Sequence, residues 1–240
     1  MVNFAKIIKE KTGVELSKSQ INFDESYDVY FFGADLLTRS AKRFDKKVNQ
    51  EKLREILSLY MISVKAVDRS TDDTCKTMYD YCEILNKPDN FDEKDLTSLL
   101  VASFSKSVNL DEQDFLDSSI VAKESFNVSH AKNVKDYLNA REDVTKYLVN
   151  IGLKSIKNLI DNKEYNSFVY RILNVSDLLD IVLDFKEDKQ RGELGFDAGF
   201  IDYLKMQKKL ISNSIKLISC YPFLLKDFFV LSKKLNKVKY

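Results

Sequence analysis

Glycine and proline are scarce in this chain, and their scarcity limits the folds available to it. The 240 residues include 6 glycines and 2 prolines. Folds built from β-strands need many tight turns, which depend largely on glycine, proline or asparagine-glycine pairs. Long helices joined by short polar links need far fewer. With 44% hydrophobic residues to form a core, we predict an all-α protein that forms a single domain over residues 1–240.

Apolar residues recur at helical spacing along most of the chain. Two segments begin with N-cap candidates, Asn49 and Asp92. No repeat, low-complexity linker or change of composition indicates a second domain. The spacing predicts helices over residues 3–11, 26–43, 49–67, 71–86, 92–107, 111–126, 131–161, 164–188, 197–220 and 223–236.

Several kinds of protein are disfavoured by what the sequence contains. The three cysteines are too few and too scattered for a disulfide framework, which is typical of a reducing compartment. The first residues, MVNFAKIIKEKTG, are too short and too charged for a signal peptide. No stretch of about 20 residues is free of charge, as a membrane-spanning helix would require. The one histidine, His130, excludes histidine-rich metal sites. We expect a cytoplasmic protein.

The charge is unevenly distributed. Residues Leu204 to Tyr240 contain nine lysines and one acid, Asp227, so this segment carries +8 and residues 1–203 carry −7. One interpretation is a basic, apolar segment that lies peripherally on an anionic membrane. The other is an amphipathic final helix that packs on the core and keeps its lysines in water. Nucleic acid is not an expected partner, because the rest of the chain is acidic.

Two groups of carboxylates stand at helical spacing. The second acidic motif, in DLLDIVLDFKEDKQRG, has residues three, four and seven apart that share one helix face: Asp177, Asp180, Asp184, Glu187 and Asp188. Like charges at these spacings repel by a few tenths of a kcal/mol per pair. A stripe of this kind that faces a cavity needs a cation to neutralise it.

The first acidic motif comprises Asp68, Asp72 and Asp73, in SLYMISVKAVDRSTDD. Counting back from Asp68 by helical steps gives Val64, Met61 and Leu57, so we expect these carboxylates to continue an inward-facing apolar stripe. Carboxylates at the mouth of an apolar channel suit a greasy molecule with an anionic head, held through metal ions. Oxygen-only ligands favour Mg²⁺, which prefers phosphate oxygens as its other ligands.

Together these motifs resemble those of the squalene/phytoene synthase family of all-α isoprenoid synthases. The family's first motif, D-x-x-x-D-D after a Tyr-containing apolar helix, is matched by Asp68, Asp72 and Asp73 after Tyr60. Its second motif, N-I-x-R-D-x-x-E-D-x-x-R-G, is matched at Ile181, Asp184, Glu187, Asp188, Arg191 and Gly192. Three weaker matches lie in family order: SYDVYFFGADLL (26–37), FLDSSIVAKESF (115–126) and DYLNAREDV (136–144).

The chain departs from the family pattern at several positions. Asp180 stands for the family's Asn, Leu183 for an Arg and Lys65 for the Arg before the first motif. Ala140 and the run VTKY replace a Tyr and a small-residue run that serve the joining of two prenyl chains.

The resemblance implies a class I isoprenoid synthase-type helical bundle around a central apolar cavity. Two facing acidic motifs would hold Mg²⁺ on a prenyl diphosphate such as farnesyl or geranylgeranyl diphosphate, and its departure would leave an allylic carbocation. The implied metal ligands are Asp68, Asp72, Asp73, Asp180, Asp184 and Asp188. The implied substrate-binding residues are Lys65, Lys189, Arg191 and Tyr60, and the implied catalytic residues are Asp68, Asp72, Asp184 and Arg141.

Three functions remain open at this point. The resemblance to the squalene/phytoene synthase family favours head-to-head condensation of two prenyl diphosphates. The short chain favours cyclisation of a single prenyl diphosphate, in which DYLNAREDV resembles the Y-L-x-x-R helix of terpene cyclases and Arg141 would sense diphosphate. The third is a non-catalytic relative that acts as an assembly or interaction protein, which the retained carboxylates disfavour.

Overall fold

The structure is a computed structural model that describes residues 2–17, 20–21, 23–73, 76–192 and 194–227, and only the backbone of Asp72, Asp73 and Glu112. Every regular element in these ranges is helical, which confirms the all-α prediction. The α-helices are α1 (Phe4–Thr12), α2 (Asp28–Phe44), α3 (Gln50–Asp73), α4 (Met78–Asn86), α5 (Leu96–Ser107), α6 (Glu112–Ser129), α7 (Val134–Ser155), α8 (Lys163–Arg191) and α9 (Phe200–Cys220). In the same ranges, no helix combines the length and the hydropathy needed to cross a membrane.

The ends of two helices test the predicted N-caps. The side chain of Asn49 accepts a hydrogen bond from the Lys52 amide at 3.1 Å and caps α3, as predicted. The Asp92 prediction is wrong, because α5 begins four residues later than expected and Asp95 caps it by accepting from the Thr97 amide at 2.9 Å. Asp92 instead accepts from the Lys94 amide in the preceding turn.

Two further boundaries differ from the prediction in ways that concern the site. The predicted break between residues 67 and 71 is absent, and α3 continues unbroken to Asp73 because nothing there interrupts the helix. The predicted helix over 131–161 ends at Ser155 and is followed by turns over 156–159. The helix predicted over 223–236 begins as a short 3₁₀ turn (Pro222–Leu224), and residues beyond 227 lie outside the described ranges.

The chain divides into two compact units, and the single-domain prediction stays a prediction. The first unit comprises Met1–Phe115, Gly152–Tyr165 and Asp227–Tyr240. Within it α3 packs against α2 and α5, and α5 also packs against α1 and α4. Residues 56–63 of α3 are all buried, so the helix that carries the first acidic motif is anchored in the core of this unit.

The second unit comprises Leu116–Ile151 and Asn166–Lys226, which hold most of α6, α7 and α8 and all of α9. Its core is built from small and large apolar side chains of α7, α8, α9 and the connecting loops. The buried members of this core are Ala131, Val134, Tyr137, Leu138, Leu178, Ile181, Leu194, Ala198 and Met206. The second acidic motif therefore lies on a helix that Leu178 and Ile181 anchor in this core.

Candidate functional site

The second acidic motif lies on the last four turns of α8. The helix continues to Arg191, so the five carboxylates from Asp177 to Asp188 share one face, as the spacing predicts. Leu178 and Ile181, which are interspersed with these carboxylates in the sequence, are almost fully buried. The carboxylates themselves differ: the side chain of Asp180 is 64% exposed, whereas that of Asp177 is 19% exposed. Glu187 is exposed as well, whereas Asp184 and Asp188 are half-buried.

Arg141 of α7 contacts the enclosed end of this stripe. Its guanidinium lies 2.6 Å from Asp177 Oδ1 and 3.5 Å from Asp180 Oδ2. Burial raises the pKa of Asp177, while Arg141 and a hydrogen bond from the Thr145 hydroxyl favour the carboxylate. Arg141 was predicted to sense diphosphate, and the structure places it beside the acidic motif and already in contact with two of its carboxylates.

Two residues near the Arg141–Asp177 ion pair, Tyr137 and Thr145, were not identified from the sequence. Tyr137, Arg141 and Thr145 are four residues apart and share one face of α7. Burial raises the pKa of Tyr137 to about 12; Arg141 acts in the opposite direction, and the carboxylates of Asp188, Asp177 and Asp180 raise it further. The spacing of Tyr137 and Thr145 around Arg141 indicates that the three side chains share a helix face. It does not identify the helix that this face contacts.

The cations after the second motif hold the end of α8 together. Lys189 donates to the backbone carbonyl of Ala198 and lies 3.4 Å from the carboxylate of Asp197, while Arg191 pairs with Glu187 one turn earlier. Gly192 ends the helix with a φ of +76°, a left-handed conformation that glycine adopts at little cost. The structure therefore gives Lys189 and Arg191 local partners at positions where diphosphate binding was predicted.

The first acidic motif lies where α3 leaves the core. Leu57 and Met61 are buried, as the predicted stripe requires, but Val64 is only half-buried and the side chain of Asp68 is 55% exposed. The expected inward-facing stripe therefore does not continue to Asp68. Lys65, one turn earlier on the same helix, lies 2.9 Å from Asp68 and over the ring of Tyr30 at 5.8 Å from its centre. The side chains of Asp72 and Asp73 lie outside the description, so their predicted roles as ligands stay predictions.

Tyr60 lies two turns before Asp68 and is 6% exposed. Its ring packs against Phe104, with 5.2 Å between ring centres. Gly152 lies so close that a Cβ there would be 2.8 Å from the Tyr60 ring. Burial raises the pKa of the Tyr60 hydroxyl. Its predicted part in substrate binding therefore concerns a side chain in the core of the first unit.

The positions of the described carboxylates determine what kind of metal site they could form. In the described part of the chain, no three His, Cys, Asp or Glu side chains converge closely enough to hold an ion by themselves. Mg²⁺ bound with a nucleotide or other diphosphate often takes only one or two carboxylates, and phosphate oxygens and water complete its coordination. The roles predicted for Asp68, Asp180, Asp184 and Asp188 as ligands of such an ion therefore stay predictions.

Local cations reduce the repulsion within both motifs. Arg141 contacts Asp177 and Asp180, Arg191 pairs with Glu187, and Lys65 pairs with Asp68. Unneutralised carboxylates would be costly in a non-catalytic protein. These ion pairs lower that cost, so a non-catalytic protein is disfavoured less than the spacing alone suggests.

No protein-family model, curated protein or solved structure matches the chain significantly. The resemblance to squalene/phytoene synthases therefore depends on the two acidic motifs and their order along the chain.

Proposed function

We propose that the protein ionises a prenyl diphosphate in a Mg²⁺-dependent reaction, as a class I isoprenoid synthase with a helical bundle around an apolar cavity. The observation that carries the proposal is the second acidic motif. Its match to the family pattern extends over Ile181 to Gly192, and its carboxylates share one face of a continuous helix that ends at the matched glycine.

Bound Mg²⁺ would supply electrostatic stabilisation of the departing diphosphate. By the resemblance, its ligands would be Asp180, Asp184 and Asp188 of the second motif and Asp68, Asp72 and Asp73 of the first. Lys65, Lys189 and Arg191 are the proposed cations for the diphosphate, which requires them to exchange their present carboxylate partners for phosphate oxygens. The apolar side chains of the cavity would exclude water from the allylic cation.

Head-to-head condensation of two prenyl diphosphates is our first proposal, because the matched motifs follow the order of that family. Cyclisation of a single prenyl diphosphate is the second, and the position of Arg141 favours it. Arg141 lies 3.5 Å from Asp180, so a diphosphate that binds at the second motif would be within reach of its guanidinium. Arg141 would then exchange Asp180 for phosphate and retain Asp177.

The test is diphosphate release from geranyl, farnesyl and geranylgeranyl diphosphates, with Mg²⁺ and with EDTA, followed by the mass of the product. We expect metal-dependent release from at least one of them. A product of two joined chains identifies condensation, and a product of one chain identifies cyclisation.

Matched variants assign the release to the two motifs. Asp68→Asn and Asp184→Asn should each lower the rate by roughly 10²-fold or more, the scale for removing one group that stabilises developing charge. Glu51→Gln and Glu164→Gln are the controls, because they remove exposed carboxylates from the opposite ends of the same two helices. No release from any substrate, in a folded protein that also fails to bind Mg²⁺ with diphosphate, would refute the enzyme and leave the assembly or interaction protein.

A further inference from the structure

Helix α9 carries an apolar face that points away from the core of its unit. Its buried side is formed by Met206 and Leu217, with Leu210 packed against the same core. Of the nine large apolar side chains that are exposed in the described ranges, five lie on this one helix. We call them the α9 outer face: Phe200 (73% exposed), Ile201 (68%), Leu204 (45%), Ile211 (58%) and Ile215 (60%).

The five residues form one stripe. Phe200, Leu204, Ile211 and Ile215 follow each other at intervals of four, seven and four, which places them in line along the helix, and Ile201 lies beside them. The helix has 21 residues and is therefore about 30 Å long. The sequence predicted either a final helix with lysines in water or a segment on a membrane, and here one helix has apolar residues on two sides.

Lysines border the stripe along one side. Lys208 and Lys216 are exposed, and neither has an ion-pair partner among the residues that the structure describes. Lys205 is also exposed and pairs with Asp202 at 3.0 Å, whereas Lys209 lies on the inner side, 2.9 Å from Glu142. Asp202 is the only acid within α9. The surroundings of the stripe are therefore positively charged, and a matching surface must be anionic.

We propose that the α9 outer face docks on the surface of an anionic lipid bilayer. An interfacial helix of this type buries its apolar side chains at the boundary of headgroups and acyl chains, while lysines beside them reach the phosphates. Two features favour lipid over an acidic protein. The stripe is mainly aliphatic, and its cations are all lysine with no arginine, whereas protein interfaces are enriched in arginine, tyrosine and tryptophan and depleted in lysine.

Charge also argues against two other occupants. Residues 228–240 contain Lys233, Lys234, Lys237 and Lys239 and no acid, so this segment would be repelled by the lysines of α9. A second copy of the chain that docks through the same face would bring two sets of lysines together. The proposal does not depend on the enzymatic function, and its readout is independent of catalysis.

The test is flotation of the full chain with vesicles of phosphatidylcholine alone and of phosphatidylcholine mixed with phosphatidylserine. We expect flotation with the anionic vesicles only, and less of it as salt is raised. Ile211→Ser with Ile215→Ser should weaken binding by more than about tenfold, through the loss of apolar burial. Lys208→Gln with Lys216→Gln should weaken it by roughly fivefold per lysine.

Matched controls make the assignment specific. Leu116→Ser with Phe126→Ser removes two exposed apolar side chains from α6, and Lys87→Gln with Lys94→Gln removes two exposed lysines from the first unit. Both pairs should leave flotation unchanged. Because Ile211 and Ile215 are exposed, their replacement should also leave the thermal unfolding midpoint unchanged.

Four outcomes would overturn the proposal. The first is no flotation with either vesicle, or flotation that both α9 pairs leave intact. The second is a lower unfolding midpoint for the Ile211 and Ile215 pair without effect on vesicles, which means that the chain covers its own stripe. The third is a dimer in sedimentation equilibrium that the same pair abolishes. The fourth is binding to immobilised polyglutamate with no vesicle binding, which assigns the face to an acidic protein.

Discussion

The first acidic motif stands at the exposed end of a buried helix, whereas the second runs along a helix face that meets a cation from a neighbouring helix. Among the residues that the structure describes, Asp68 pairs within α3, through Lys65. The last turn of α3 contains no basic residue, while that of α8 contains Lys189 and Arg191. Carboxylates near a helix C-terminus are disfavoured by about 0.3–1 kcal/mol each, because they face the negative end of the helix dipole.

This difference separates two roles that the spacing of carboxylates cannot distinguish. Part of the second motif supports the fold, since Asp177 is held by Arg141 and Thr145 inside its unit. Asp68, the member of the first motif whose side chain is described, has local contacts only, so it should contribute little to stability. If this comparison is correct, substitutions near the second motif should destabilise the protein more than equivalent ones near the first.

The largest expected effect concerns the loop that follows the second motif. Gly195 has a φ of +72°, and a Cβ there would lie 2.6 Å from the backbone oxygen of Ser129 and 2.9 Å from the amide nitrogen of Ala131. Gly195→Ala should therefore cost about 3 kcal/mol of unfolding free energy, from backbone strain and steric overlap together. Urea unfolding followed by circular dichroism measures the loss.

Gly192 is the matched control for this prediction. It has nearly the same φ, +76°, but a Cβ there would meet nothing within 4 Å. Gly192→Ala should thus cost only about 1 kcal/mol, the conformational part alone. Equal losses for the two alanines would show that the close approach to α6 and its following loop does not constrain the end of the second motif.

The next effect compares the cations of the two motifs directly. Arg141→Ala leaves Asp177 largely enclosed without its ion-pair partner, so it should destabilise the protein by about 2 kcal/mol. Lys65→Ala removes an ion pair whose carboxylate is mostly solvated, and it should cost less than about 1 kcal/mol. Both losses are measured by urea unfolding at neutral pH. A larger loss for Lys65→Ala than for Arg141→Ala would reverse the comparison.

The helices themselves could be predicted from the sequence because few residues interrupt helical periodicity. The predicted cap at Asn49 is confirmed. The cap of α5 was misplaced because Asp92 and Asp95 are both good N-cap residues, and the choice depends on where the chain enters the core. Local pattern predicts that a helix exists more reliably than where it begins.

Contacts between helices could not be predicted in the same way. Spacing identifies Tyr137, Arg141 and Thr145 as one face, but the partner face on α8 depends on tertiary packing. Tertiary packing also decides which apolar side of α9 is buried. Met206 and Ile211 are both apolar, but Met206 is buried and Ile211 is exposed. Periodicity therefore gives the faces of a helix and leaves open which of them meets the core.

A smaller effect separates stability from activity at the first motif. Asp68→Asn removes an exposed carboxylate and its local pairing with Lys65, so the unfolding free energy should change by no more than about 0.5 kcal/mol. Under the proposed function, the same substitution lowers the rate of Mg²⁺-dependent diphosphate release by roughly 10²-fold or more. A variant that loses activity and more than about 1 kcal/mol of stability would instead indicate that Asp68 supports the fold.

The last effect is a pH dependence next to the first motif. Asp24 accepts hydrogen bonds from Ser26 and pairs with Arg69, the neighbour of Asp68 in sequence. The Ser26 hydroxyl and then the Arg69 guanidinium lower the pKa of Asp24 to about 2. Since the unfolded chain has the ordinary value of about 3.9, the unfolded state binds more protons between these limits. The stabilisation that ionised Asp24 contributes to the folded state is therefore present above about pH 4 and is lost as the pH falls towards 2.

Asp24→Asn isolates this contribution. At neutral pH the variant should lose less than about 1 kcal/mol, because both partners are half-exposed. The difference from the unmodified chain should shrink as the pH is lowered from 5 to 2 and the native Asp24 takes up its proton. Urea unfolding at a series of pH values, with the two chains in parallel, gives the difference directly. A difference that stays constant with pH would mean that Asp24 acts through the turn geometry before α2 and that Arg69 is not held by its charge. Arg69, next to the first motif, would then remain available to a bound anion. The first motif would in this respect resemble the second, which has Arg141 beside its carboxylates.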